Sequence, residues 1–314
     1  MSIVHILFEN EAWLPALTDA LTARGVPFRP WFVDGGAIDL AGPAPEGVFV
    51  NRMSPSAHTR GNQGGVRYVS ELLGWLEANG RRVFNGSEAF ALEVSKVRQD
   101  WTLRAAGIDT PETIAVVGRD ALVAAARRLG SPFVTKHNQG GKGLGVTLFR
   151  DLTSFEAHLA SDEFLDSPDG VTLLQRYIEP AEPFITRVEI VGGRFLYALK
   201  SSTEGGFELC PADACQVDEA FCPVGGTGKF AQRVEITADD PLVRKLVAYC
   251  ARYGLDVAGI EFVEDRDGRR YTYDVNANSN YNGGVEAEAG FQGMAELAEL
   301  CARALEEQAA IAAK

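Results

Sequence analysis

The 314-residue sequence predicts an α/β protein, with an N-terminal parallel-sheet unit followed by α+β lobes. Strand-like and helix-like segments alternate from Ile3 to Ala78, the pattern that generates a parallel sheet. Two glycine-containing hairpin signals, Gly192-Gly193 and Asp267-Gly268, mark antiparallel pairs later in the chain. Between these regions, Glu112 to Ile178 reads strand, helix, strand, glycine loop, strand, helix, strand, a compact lobe of its own.

In order, Ile3 to Phe8 is an apolar strand, Ala12 to Arg24 has helical periodicity, and Phe28 to Val33 and Gly47 to Asn51 are further strands. The polar stretch Arg52 to Gly65 leaves the carboxyl end of the third strand, where α/β folds bind ligands. Arg52 and Arg60 are therefore candidates for holding an anionic substrate, solvated loop arginines being the alternative. A helix follows near Val66 to Ala78. Asn85-Gly86-Ser87 opens a second region with a helix that carries Lys96, then a loop from Gly107 to Pro111. Phe184 to Val191 and Arg194 to Lys200 flank Gly192-Gly193, and a two-residue turn there pairs Ile185 with Lys200, so that Arg187, Glu189 and Lys200 share one face. Ser201 to Gln232 is long, glycine-rich and without a period, as functional loops often are. A helix near Pro241 to Tyr253, strands Val257 to Val263 and Tyr271 to Val275, and an amphipathic helix from Gly293 to Ala313 complete the chain. The expected division is 1–88 and 89–314, the latter with a small lobe at about 112–177 and a C-terminal lobe at about 178–314.

With 46% hydrophobic and 23% charged residues the chain is ordinary globular material, long enough for two or three lobes. No apolar run is long enough to span a bilayer, and MSIVHILFENEAW lacks a basic region followed by a cleavage site, so a cytosolic, membrane-free protein is expected. Cys210, Cys215, Cys222, Cys250 and Cys301 are odd in number, which favours reduced thiols over a disulfide framework. The clustered Cys210, Cys215 and Cys222 lack CxxC spacing, which argues against zinc. A net charge of −13 argues against a nucleic-acid partner.

Two stretches carry chemistry. If Asp267-Gly268 is the turn, Glu261 lies opposite Asp274, and Asn276 points to the same face. Carboxylates so placed, roughly 5 Å apart at Cβ, repel. Solvated surface charges are one reading, and a hard divalent cation between them is the sharper one. Three oxygen ligands suit Mg²⁺, or Mn²⁺, bound together with substrate phosphates. The second stretch is FVTKHNQGGKGLGVTLF, Phe133 to Phe149. Gly140, Gly141, Gly143 and Gly145 let backbone N–H groups approach phosphate oxygens, and Lys136 and Lys142 can meet phosphate charge. A plain flexible turn is the alternative. It is not a Walker A loop, because Gly143 follows Lys142 and the loop joins two strands.

Together, a helix with Lys96, a strand ending in Lys136, the glycine loop Gln139 to Gly145, the segment LLQRYIEP, Arg187, Glu261 and Asp274-Val275-Asn276 resemble the ATP-grasp superfamily in order and spacing. Within it the chain is most similar to RimK-type and glutathione synthetase-type carboxylate–amine ligases. The resemblance covers roughly Ser87 to Gly290 and, loosely, the N-terminal unit as a pre-ATP-grasp domain. It implies ATP in a cleft between the small and C-terminal lobes, with the glycine loop over the β- and γ-phosphates. It further implies Lys96 and Lys136 as nucleotide contacts and Gln175, Arg176, Tyr177 and Ile178 as the hinge that reads the adenine edge. Glu261, Asp274 and Asn276 are the implied metal ligands, and Arg187 serves the transferring phosphoryl group. The family more often has an acidic residue at the Arg176 position and a glutamate at the Asp274 position. After Lys200 this chain reads SSTEGGFELCPADACQ, where RimK-type ligases usually carry an arginine and an asparagine, so Lys200 or Glu208 is left to take over part of that role.

The implied reaction follows from charge. A carboxylate is a poor electrophile, and phosphorylation by ATP converts it into an acyl phosphate that an amine can attack, catalysed by Lys136, Arg187 and loop amides. The expected partners are small acid and amine substrates, or a peptide, with a homo-oligomer left open. Asn278 and Asn280, within the amide-rich run Asn276 to Asn282, are substrate candidates, with turn chemistry as the alternative. A different ATP-grasp chemistry, phosphotransferase or carboxylase-type, and a non-catalytic nucleotide-binding protein are the competing functions.

Overall fold

Five consecutive buried residues, Val4–Phe8 (β1), start the chain, as expected for a central strand of a covered parallel sheet. A computed structural model describes residues 2–141, 143, 145–203 and 229–313. After a single 3₁₀ turn capped by Asn10, α1 (Pro15–Ala23) leads to β2 (Phe28–Phe32) and β3 (Val48–Arg52), then α2 (Gly65–Ala78) and β4 (Arg82–Phe84). The strands lie in the order β2-β1-β3-β4, all parallel. The helix expected from Ala12 to Arg24 thus begins only at Pro15, whose fixed φ suits a first helical position.

Helices α3 (Ser87–Glu93) and α4 (Lys96–Ala105) follow, so Lys96 opens a helix of its own. The break has a local cause: the Ser95 hydroxyl accepts from the Arg98 N–H, and Asn138 accepts from both Lys96 and Val97. A second sheet holds β5 (Thr113–Val117), α5 (Leu122–Leu129), β6 (Phe133–His137), β7 (Thr147–Phe149), α6 (Leu152–Leu159) and β8 (Val171–Arg176), with strand order β5-β8-β6-β7 and antiparallel pairing throughout. Its element sequence matches the expectation for Glu112 to Ile178.

The third sheet carries the site. It consists of β9 (Phe184–Val191), β10 (Arg194–Ser202), β11 (Phe230–Gln232) and, after α7 (Pro241–Arg252), β12 (Val257–Glu264) and β13 (Arg270–Asn276), in the order β11-β10-β9-β12-β13. Short α8 (Gly283–Ala289) and long α9 (Gly293–Ala312) close the chain. Leu297, Ala298 and Cys301 of α9 join Val4, Ile6 and Leu17 of the first unit and Val191 and Leu199 of the third sheet in one apolar core. No helix among the described residues is long and apolar enough to cross a membrane.

Two register expectations need correction. Gly192-Gly193 does close the β9–β10 hairpin, but a bulge between Phe195 and Tyr197 shifts the pairing so that Lys200 faces Thr186 and Leu199 faces Arg187. Lys200 therefore lies on the opposite face from Arg187 and Glu189, because one extra residue inverts every later side chain. In the second hairpin the loop is longer than two residues: Gly268 N–H donates to the Asp265 carbonyl with φ +76°, and Asp265 N–H to the Arg269 carbonyl. A bulge between Glu261 and Phe262 compensates for the longer loop, and Glu261 does pair with Asp274. Strands β4 and β11 and helix α8 were not anticipated, each being short.

Candidate active site

The registers of three neighbouring strands align one row of side chains. Arg187 on β9 pairs with Glu261 on β12, and Glu261 with Asp274 on β13. Paired residues share a face, so cation, carboxylate and carboxylate stand side by side over a cleft that all three line. The next row places Glu189 opposite Gly259, and Gly259 opposite Asn276. Arg187 donates from Nε to Glu189 at 2.6 Å, from Nη1 to Glu261 at 3.0 Å and from Nη2 to the Ser279 hydroxyl at 2.7 Å. Its guanidinium lies across Gly259, where an added Cβ would be 1.9 Å from Nη2. Burial alone would lower the Arg187 pKa, but Glu189 and Glu261 more than reverse this and hold it above the usual arginine value.

The carboxylates differ. Asp274 is ion-paired with Lys96. Burial would raise its pKa, yet Lys96 and Lys136 hold it below the usual aspartate value. Glu261 sits above the usual glutamate value because of burial and the neighbouring Asp274, which outweigh Arg187. The Tyr273 hydroxyl donates to Glu261 Oε2 at 3.2 Å. Lys136 lies 5.3 Å from the centre of the Tyr273 ring, and its pKa is pushed down to about 8 by burial, with Asp274 opposing and Lys96 adding to the shift.

Two carboxylates and an amide oxygen on one face form a hard-oxygen donor set that fits Mg²⁺ or Mn²⁺. Asn276 Nδ2 donates to the Gly259 carbonyl, which leaves its Oδ1 available to a cation. Among the described residues no three His, Cys, Asp or Glu side chains converge as a metal site by themselves. Such a set suits a cation whose remaining ligands are substrate phosphates and water.

Lys136, Gly140, Gly141 and Gly143 line the same cleft, and Gly145 is not part of that lining. Gly143 and Gly145 both have φ +74°, and a Cβ on Gly145 would approach the His137 ring to 2.8 Å. Lys142 lies outside the described residues. At the hinge Gln175, Arg176, Tyr177 and Ile178 all line the cleft. Arg176 and Tyr177 N–H groups bond to the Glu112 and Pro132 carbonyls, whereas Ile178 makes no hydrogen bond among the described residues. The Arg176 side chain pairs with Glu112 and with the Leu129 carbonyl.

Of the substrate candidates, Asn278 and Asn280 line the cleft together with Trp13, Ser54, Pro55 and Ser56 of the first unit. Arg52 is buried, and it donates to the Ser279 carbonyl and to Asn280 Oδ1 while accepting from Asn278. It acts as a strut under the asparagine run, with both terminal nitrogens committed to protein acceptors, and burial lowers its pKa to about 10. Arg60 is paired with Glu9. Lys200 is exposed, 5.7 Å from the Phe184 ring centre and away from the cleft lining. Glu208 and the clustered Cys210, Cys215 and Cys222 lie outside the described residues.

Sequence reasoning missed Glu93, which lines the cleft, accepts from the Ala277 N–H and has its pKa pushed up to about 7 by burial. It also missed Gly259, Tyr273 and Ser279. The only available signal was their nearness to Glu261 and Asp274.

At full length the fold superposes on a solved RimK domain protein, an ATP-grasp structure from Sphaerobacter thermophilus, with a TM-score of 0.67 at 20% identity, covering 95% of this chain and 98% of that one. The fold is ATP-grasp. No protein-family model matches the chain. By sequence it is 28% identical over 214 residues to β-citrylglutamate synthase B of Danio rerio, a match covering 67% of this chain and 48% of that protein. It is 26% identical over 235 residues to a D-alanine–D-alanine ligase of Chromohalobacter salexigens, covering 68% and 70%. The chain thus spans about half the length of the first of these relatives.

Proposed function

We propose that this protein is an ATP-dependent carboxylate–amine ligase that forms an amide or peptide bond through an acyl phosphate and releases ADP and phosphate. The observation that carries it is that the row Arg187–Glu261–Asp274 shares one cleft with Lys96, Lys136 and a glycine loop. In this reading the loop amides around Gly140, Gly141 and Gly143 hold the phosphates, and the Ile178 N–H, which no described residue accepts, meets the adenine edge. A bound Mg²⁺, held by Glu261, Asp274 and Asn276, would neutralise phosphate charge.

Arg187, fixed on three sides, stabilises charge on the transferring phosphoryl without moving during reaction. Lys136 adds charge at the same centre. Lys96, ion-paired with Asp274, is the group that a cation held by Asp274 would displace, leaving its ammonium available to the nucleotide. Trp13, Ser54, Ser56, Asn278 and Asn280 also line the cleft and are the candidates for holding the acid and the amine. Neither Cys250 nor Cys301 lines the cleft, and burial pushes both thiols up to about 12. In this reading the acid's own carboxylate oxygen attacks the γ-phosphorus as ADP leaves, and the amine then displaces phosphate from the acyl carbon.

The test is isotopic. Turnover of a carboxylate substrate enriched in heavy oxygen should place one labelled atom in the inorganic phosphate, with ADP as co-product. Label retained wholly in the product, or AMP and pyrophosphate in place of ADP and phosphate, would establish adenylate chemistry and remove the acyl-phosphate reading.

A further inference from the structure

Strand β13 breaks its alternation at one place. Thr272 is 0% exposed and Val275 1%, both facing the core, and between them Tyr273 and Asp274 both line the cleft. Regular pleating would send adjacent residues to opposite faces. The bulge is responsible: Glu261 pairs with Asp274 and Phe262 with Thr272, leaving Tyr273 without a cross-strand partner and turned to the same side as Asp274. A bulge beside a site re-aims a side chain, and here the re-aimed group is a phenol whose hydroxyl donates to Glu261 Oε2 at 3.2 Å.

The other oxygen, Oε1, accepts from Arg187 Nη1 at 3.0 Å. The terminal torsion of a glutamate is broad, so one donor would leave the carboxylate able to swing. Two donors on different elements, one at each oxygen, stop that rotation. The Tyr273 ring is itself held from above by Lys136, 5.3 Å from its centre.

We propose that Tyr273 is a positioning residue of the metal site: its hydroxyl and Arg187 together set the orientation in which Glu261 meets the cation that accompanies the nucleotide. This rests on the nucleotide-site reading above. Partners of metal-ligating carboxylates commonly change metal affinity 10–100-fold when removed.

Mn²⁺ binding to the full chain with ADP, followed by electron paramagnetic resonance, tests it in the wild type, Tyr273→Phe, Glu261→Gln and the double variant. Tyr273→Phe keeps the ring and should weaken Mn²⁺ binding about tenfold at an unchanged melting temperature. In the Glu261→Gln background the same change should have no further effect. Wild-type Mn²⁺ affinity in Tyr273→Phe, with or without a lower melting temperature, would make the hydroxyl structural and overturn the proposal. An equal loss in the Glu261→Gln background would show that the hydroxyl acts independently of the Glu261 carboxylate and overturn it too. If the wild type binds no Mn²⁺ with ADP, the nucleotide-site reading falls together with the proposal.

Discussion

Arg187 can cross its own sheet because residue 259 has no side chain. A Cβ on Gly259 would stand 1.9 Å from Nη2 and 2.3 Å from Cζ, contacts that a guanidinium hydrogen-bonded through all three nitrogens relieves only by giving up some of those bonds. Gly259→Ala should displace Arg187 from Glu261 and from Glu189, which is 0% exposed. Removing one such stabilising group commonly costs about 3 kcal/mol at the transition state, on the order of 100-fold in kcat/KM. Leaving a buried carboxylate without its partner costs roughly 3–5 kcal/mol of stability. ADP release and urea unfolding measure both, and near-wild-type values in both would show that Arg187 does not need its present position. At this scale Glu261 and Asp274 were legible because like-charged carboxylates at paired positions call for a cation, and Arg187 was marked only by the resemblance to ATP-grasp ligases. Gly259 was not, because a glycine in a strand gives no sign of which side chain passes over it.

Among the elements, the two hairpins show how a local signal succeeds and fails. Both turns were placed from their glycines, and both strands carry bulges that no dipeptide announces. In β12–β13 a longer loop and a bulge offset each other, so the predicted partner of Glu261 is the observed one. In β9–β10 the bulge stands alone, and Lys200 is carried to the far face. The glycine loop between β6 and β7 was legible in type, and its chemistry can be tested. Gly143 has φ +74°, a conformation that strains a β-branched residue. Gly143→Val should weaken nucleotide binding at least about tenfold, the equivalent of ~1.4 kcal/mol, while the melting temperature barely moves because the loop is outside the buried core. Calorimetric titration with ADP checks it, and an unchanged affinity would make the loop an ordinary turn.

At the scale of the molecule, Asn85 joins the first unit to the third sheet. Its side chain donates to the Val257 and Ala277 carbonyls and accepts from the Asp256 and Val257 N–H groups, at φ +51° and nearly complete burial. Asparagine tolerates that left-handed backbone better than most residues. Asn85→Ala would leave several buried backbone groups unpaired and should cost at least about 3 kcal/mol, read as a lower urea midpoint. A shift within error would show that α9, which packs both units into one core, suffices to join them. We propose the division at 88/89 as a boundary in the chain only, since the C-terminal helix returns to the first unit.

The sequence by itself determined what periodicity and spacing record: the parallel N-terminal unit, the order of elements from Glu112 to Ile178, the hairpin carrying Glu261 opposite Asp274, and the resemblance to ATP-grasp ligases. The tertiary structure alone decided which of the charged residues converge. It placed β9 beside β12, so that Arg187 completes the row, and it brought Lys96 to Asp274 from a helix 178 residues away in sequence. It also turned Arg52 into a strut and Lys200 outward. The physical reason is that side-chain direction along one strand follows from a period of two, whereas the neighbour of a strand, and any bulge that resets that period, depends on packing between segments far apart in the chain.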